Sequence, residues 1–274
     1  MTTFTSDDLA NALANSKLVE EAPYHPGYED AVPVSVDNID NKGYKATYLG
    51  DAIRAKMKRD NKRFWAGDNI SDYISEEDKA ILIKEATEAF ESVLDRLLID
   101  RENDPNSQGT AKRLAKMYFN EIMAGRYEPA PDATSFPNEV DDGYKGMLVV
   151  RSELRSMCSH HHQPVVGVAY IGIIAADRLI GLSKYTRIAQ WCARRGTLQE
   201  ELCNDIAREI SKATDSENVG VYIQAVHGCC ENRGIMAHSS LTQTTVLKGV
   251  FQKDPATKKE FMDNIKLQQD FAPR

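Results

Sequence analysis

Two runs rich in β-branched residues, PVVGVAYIGII (164–174) and NVGVYIQAVHGCC (218–230), constrain the fold more than any other feature of the chain. Val and Ile fit a pleated, half-buried surface, so both runs predict strands. The period of two sets Val219, Val221, Ile223, Ala225, His227 and Cys229 on one face of the second strand, with Cys230 pointing the other way. GMLVVRSEL (146–154), RLIGL (178–182) and SLTQTTVLKGVF (240–251) read as further strands. Helical patterns fall among them without a regular βαβ repeat, which points to an α+β fold over a doubly wound sheet.

The helices are marked by period and by caps. DKAILIKEATEAFESVLDRLLID (78–100) places Ile81, Ile83, Ala86, Phe90, Val93, Leu97 and Leu98 at helical spacing. After the turn RENDPNSQG, Thr110 offers an N-cap for AKRLAKMYFNEIMAG. Ser183 offers one for KYTRIAQWCARR, and Thr197 one for LQEELCNDIAREISKAT. DPATKKEFMDNIK closes the chain with a helix. Residues 1 to about 80 are polar and irregular, with loops at EEAPYHPGYEDAVP and NIDNKGYK and a helix from Leu49 to Arg63. They read as an N-terminal appendage, leaving 81–274 as the main domain.

At 274 residues and 42% hydrophobic, the chain can bury a substantial core. A net charge of −7 argues against a nucleic-acid binder, so any anion site must be a local cluster of Lys and Arg. No apolar run reaches the length of a membrane span, and the N-terminus has no secretory h-region. Five Cys, two of them adjacent, suit a reducing compartment with thiols free or on metal, hence a cytoplasmic location.

Two of those Cys stand near His. MCSHHHQP (157–164) puts Cys158 and His161 at a spacing that a turn can close onto one ion, and AVHGCCENRG adds His227 and Cys229. Three ligands of mixed sulfur and nitrogen type would leave a fourth tetrahedral position open, as catalytic zinc requires. Taken singly, each has a blander reading: Cys158 and Cys229 as buried core thiols, the His run as a solvated turn. A second cluster is cationic. Ser183, Lys184 and Arg187 sit at a helix start, where free N–H groups already favour anions and cations need a reason to be. Arg113 and Lys116 repeat the i, i+3 spacing, and Arg233 follows the Cys pair. Glu200 fits a capping box with Thr197, and on spacing alone that is its reading.

In this order the stretches GTAKRLAKMYFNEI, SMCSHHHQPVVG, IGLSKYTRIAQWCARR, LQEEL, GVYIQAVHGCCENRG and LKGVF resemble GTP cyclohydrolase I. The resemblance runs from about residue 82 to the C-terminus. It implies the tunnelling fold (T-fold), an antiparallel sheet with packed helices assembling into a toroidal homodecamer with active sites at subunit boundaries. It implies Zn2+ on Cys158, His161 and Cys229, and His160 and His227 as the acid/base pair. It also implies Glu200 and Gln199 as readers of guanine, and Arg113, Lys116, Ser183, Lys184, Arg187 and Arg233 as the triphosphate set. The implied reaction takes GTP and water to 7,8-dihydroneopterin triphosphate and formate, through attack of zinc-bound water on guanine C8, ring opening and reclosure. No membrane or nucleic-acid partner is implied.

The chain departs from the family pattern around the metal. Ser159 stands where Glu is common, His162 where an apolar residue is usual, and Gly228 and Cys230 where bulkier residues are common. The segment before Cys158 is one residue short, and residues 1–80 have no counterpart. Two alternatives follow: a variant that stops at a ring-opened guanine nucleotide, and a non-catalytic nucleotide-binding homologue. Retention of His160 and His227 argues against the second.

Overall fold

The computed structural model of the chain describes residues 48–139 and 143–271, so the two N-terminal loops named above lie outside the described residues. In chain order the elements are α1 (Leu49–Arg59), a 3₁₀ turn (Ser71–Tyr73), α2 (Glu76–Arg96), α3 (Thr110–Met117), a π-helical turn (Tyr118–Ile122), α4 (Ala124–Tyr127), β1 (Ser135–Pro137), β2 (Met147–Met157), β3 (Pro164–Ile174), β4 (Arg178–Ile180), α5 (Leu182–Ala193), α6 (Gln199–Thr214), β5 (Val219–His227), α7 (Gly228–Glu231), β6 (Thr242–Leu247), α8 (Val250–Lys253) and α9 (Pro255–Phe271).

β2, β3, β5 and β6 form one antiparallel sheet in that order, and β1 pairs with β4 in a separate two-stranded ribbon. The fold is therefore α+β with an antiparallel sheet, and the doubly wound arrangement is not adopted. One face of the sheet carries the main core, where Leu154, Ala169, Ile171, Ile173, Val221 and Ile223 pack under α5 and α6. The other face packs Tyr170 and Tyr222 against Phe251, Phe261 and Ile265 of α8 and α9. Gly172 and Gly220 lie opposite each other in the β3–β5 register. The two Phe rings rest on them: a Cβ at Gly172 would stand 2.7 Å from the Phe261 ring. These two positions, near the ends of their strands, carry no side chain because aromatic rings occupy the space.

The N-terminal half of the described chain docks on the helices. Leu49 and Gly50, at the start of α1, donate their free N–H groups to the Glu85 carboxylate of α2 at 2.5 and 3.1 Å. α1 ends at Arg59, four residues short of the expected boundary. Ile53, Met57 and Ile70 form a small apolar cluster with Leu82 and Tyr127. The Arg126 guanidinium donates to the carbonyls of Phe64, Trp65, Ala66 and Asp68, which fastens the segment ahead of the 3₁₀ turn.

Three expected caps are corrected. Gly109, Gly181 and Leu198 occupy the N-cap positions, none with a side-chain cap. Thr110 and Ser183 fall inside their helices, and Thr197 lies one residue too early. Its hydroxyl donates to Glu201 at 2.8 Å, so the capping box through Glu200 does not form. α2, by contrast, carries a complete capping box of Ser75 and Asp78. The expected helix 111–125 is broken into α3, the π turn and α4.

Candidate active site

The β2–β3 hairpin delivers the first cluster. Met157 pairs with Pro164, so Cys158–Gln163 form the six-residue connection at one end of the sheet. The turn closes on Cys158 from both sides: its N–H donates to Gln163 O, and its carbonyl accepts from the His162 N–H, each at 2.9 Å. Ser156 ties the end of β2 to the end of α5 by donating to Ala193 O at 2.7 Å. Register then brings His227, the last residue of β5, opposite Val165.

The strand alternation does not reach Cys229. β5 ends at His227, and Gly228 turns the chain into the short helix α7. A Cβ on Gly228 would stand 3.1 Å from Pro164 O and 3.3 Å from the Pro164 ring. A small residue is what lets the chain turn tightly over the hairpin. Cys229 nevertheless lies near Cys158, whose thiol is one of the groups that act on it. The Cys230 sulfur lies 3.9 Å from that of Cys229. Burial first, then the Cys158 and Cys230 thiols, push Cys229 up to about 11.

His160 and His161 are exposed on the turn, their rings 6.3 Å apart and nearly perpendicular. Among the described residues no three His, Cys, Asp or Glu side chains gather closely enough to hold an ion. Of the expected zinc set, Cys229 lies near Cys158, and His161 stands on the same turn as Cys158 without closing on them. The donors fit a thiophilic cation. A thiol whose pKa is raised by burial and by neighbouring sulfur, as that of Cys229 is, is relieved when a cation takes the place of its proton. All five Cys are free.

His227 is held by a partner 28 positions away in sequence. Its Nε2 lies 2.7 Å from Gln199 Oε1. The Gln199 amide nitrogen donates to Thr244 Oγ1 at 3.1 Å, Thr242 O at 3.3 Å and Ile223 O at 3.4 Å, which turns its carbonyl oxygen toward His227. Because that oxygen can only accept, Nε2 carries the proton and Nδ1 is left as the basic nitrogen of the neutral ring. Burial lowers the His227 pKa below its ordinary value, and the Glu200 carboxylate partly offsets this. Gln199 is 2% exposed with both ends of its amide engaged, whereas Glu200 is exposed beside it in the first turn of α6.

The cationic residues are spread over separate elements. Arg113 spends its guanidinium on Gln108 O, Asn106 O and Thr110 Oγ1 of its own loop and helix start. Lys184 donates to Asp132 O at 2.7 Å. Lys116, Ser183, Arg187 and Arg233 are exposed. Among the described residues, no hydrogen bond or ion pair joins these groups to one another or to the Cys–His end of the sheet. The contact between Gln199 and His227 has no signal in the sequence, since the two residues stand 28 positions apart on different elements.

The family model for GTP cyclohydrolase I matches residues 86–266. The chain belongs to the GTP cyclohydrolase I family. Among curated relatives named GTP cyclohydrolase 1, that of Flavobacterium johnsoniae is 40% identical over 201 residues, 72% of this chain and 86% of the relative. The relative from Shewanella loihica is 38% identical over 157 residues (57% and 72%), and that from Aeromonas salmonicida 37% over 179 residues (64% and 80%). The α+β fold with an antiparallel sheet agrees with this family of enzymes. Cys158, Cys229, His227 and Gln199 all fall inside the matched region. Among the described residues, no helix is long and apolar enough to cross a membrane.

Proposed function

We propose that this chain is a zinc-dependent GTP cyclohydrolase I that converts GTP and water to 7,8-dihydroneopterin triphosphate and formate. The observation that carries the reading is the approach of Cys229 to Cys158 at the end of the sheet where Gln199 fixes the tautomer of His227. Cys158, His161 and Cys229 would hold the zinc, which supplies Lewis acidity toward water and the guanine ring.

The remaining work falls to the chain's own groups. His227 is neutral near pH 7 because burial lowers its pKa, so Nδ1 can take a proton there. Gln199 holds Nε2–H and so keeps the basic nitrogen from exchanging places with the protonated one. His160, exposed on the facing turn, serves the second proton transfer. Glu200 accepts from the N–H edge of guanine, an edge that adenine lacks, and this selects the base. The exposed Lys116, Ser183, Arg187 and Arg233, with Lys184 and Arg113, bind the triphosphate. Their spread over separate elements supports a site completed between copies of the chain, in a T-fold toroid of ten subunits. Residues 81–274 form the catalytic domain in this reading and 1–80 an appendage, in a cytoplasmic protein.

The test is incubation of zinc-assayed protein with GTP. Equimolar formate and a pterin that fluoresces after oxidation are expected. A ring-opened nucleotide by mass spectrometry, or tight GTP binding without turnover, overturns the proposal.

A further inference from the structure

His162 is the member of the histidine run that the proposed chemistry leaves unused, and it stands where the family commonly has an apolar residue. Its backbone is left-handed, with φ +50°, a conformation uncommon outside glycine that His tolerates better than most residues. Its N–H closes the turn onto the Cys158 carbonyl at 2.9 Å. Any shift of residue 162 is therefore passed to the backbone of Cys158.

The ring of His162 reaches across to another element. Its Nδ1 lies 3.2 Å from the Tyr118 hydroxyl, and the two rings are 5.6 Å apart. Tyr118 is itself fixed. It stacks on Phe90 of α2 at 5.5 Å and 21°, and its carbonyl accepts the 3.0 Å bond from Met123 N that makes the π turn. The extra residue of a π turn re-aims the side chains that follow an α-helix, and here it begins two residues after Lys116. Among the described residues, this is the aromatic contact between the Cys158–Gln163 turn and another element.

We infer that Tyr118 and His162 act as a brace that sets the histidine turn against the α3 segment carrying Lys116, and that the brace governs how firmly the turn closes on zinc. Both are positioning residues, acting through Cys158 and His161. The inference rests on the zinc reading above.

The experiment is chelator competition for zinc on the full chain, comparing wild type with Tyr118→Phe, His162→Asn and the double variant. Tyr118→Phe removes one hydroxyl, and His162→Asn keeps a residue that tolerates the left-handed backbone but shortens its reach. Each single change is expected to weaken zinc binding about tenfold, and the double change no more than either alone. Thermal unfolding of the same zinc-free proteins serves as the control. A lowered melting temperature with unchanged zinc affinity, or additive losses in the double variant, overturns the brace. Wild-type protein that retains no zinc overturns the metal reading and the brace with it.

Discussion

Replacing Gln199 by Leu tests the His227 assignment at the point where it is most exposed to failure. Leu has a similar volume, so the pocket stays filled, but the 2.7 Å acceptor for Nε2–H disappears. In the resting protein this is one hydrogen bond, worth about 1 kcal/mol net. When His227 has taken a proton, the same bond is made to a charged ring and is worth about 1.5–3 kcal/mol. kcat senses the difference between the two states, about 0.5–2 kcal/mol, so its loss should lie between about twofold and about 30-fold. KM for GTP should move little, because the buried amide has no free group to offer the substrate. The assay is pterin formation at saturating GTP with zinc content matched to wild type. A kcat equal to that of wild type, in folded and zinc-replete protein, would refute the tautomer argument. A large rise in KM with kcat intact would instead return Gln199 to the substrate.

Other changes probe the frame around the site. Gly172→Ala drives a methyl group toward the Phe261 ring, at 2.7 Å in the unrelaxed fold. Overpacking of this kind costs about 1–3 kcal/mol, and each kcal/mol lowers the melting temperature by about 2–4 °C in a chain of this size; an unchanged melting temperature would mean that the aromatic pair is loosely seated. Partial burial pulls the Asp68 carboxyl upward, but the Arg63 guanidinium and the Trp65 N–H outweigh it and hold the pKa below the ordinary 3.8. Its contribution to stability is thus present above about pH 4 and lost as the pH falls through the lowered value. Asp68→Asn should melt earlier than wild type at pH 7, and the gap should close in acid; a gap that is constant with pH contradicts the pairing. Glu200→Gln keeps the exposed first turn of α6 but removes the carboxylate, and should cost at least tenfold in kcat/KM for GTP with little change in zinc content.

Much of the sheet was legible because burial imposes a pattern on sequence. β3 and β5 are buried over most of their length, so their Val and Ile runs mark β3 to the residue, while the run for β5 overshoots its end by three residues, to Cys230. β1 has no such pattern: three residues pair with Arg178–Ile180 at the surface, and nothing in Ser-Phe-Pro demands it. The caps were misplaced because a helix start depends on backbone angles that a Ser or Thr permits without requiring, and Gly109 and Gly181 serve as well. The π turn is invisible in composition, since one residue more per turn leaves the apolar spacing of α3 almost unchanged.

In the site, the meeting of Cys158 and Cys229 follows from the resemblance and from hairpin register. The route assumed for Cys229, along the face of β5, is corrected: the chain leaves the strand at Gly228, where a Cβ would press on Pro164 at 3.1 Å. The hold of Gln199 on His227 was beyond reach, because a bond between a helix start and a strand end exists only once both have packed.

Zinc-edge X-ray absorption on the metal-loaded full chain tests the central claim most directly. The account predicts two sulfur neighbours at about 2.3 Å and nitrogen or oxygen neighbours at about 2.0–2.2 Å, with one sulfur lost in Cys158→Ser and one in Cys229→Ser. A shell without sulfur, or one that survives both substitutions unchanged, would contradict it.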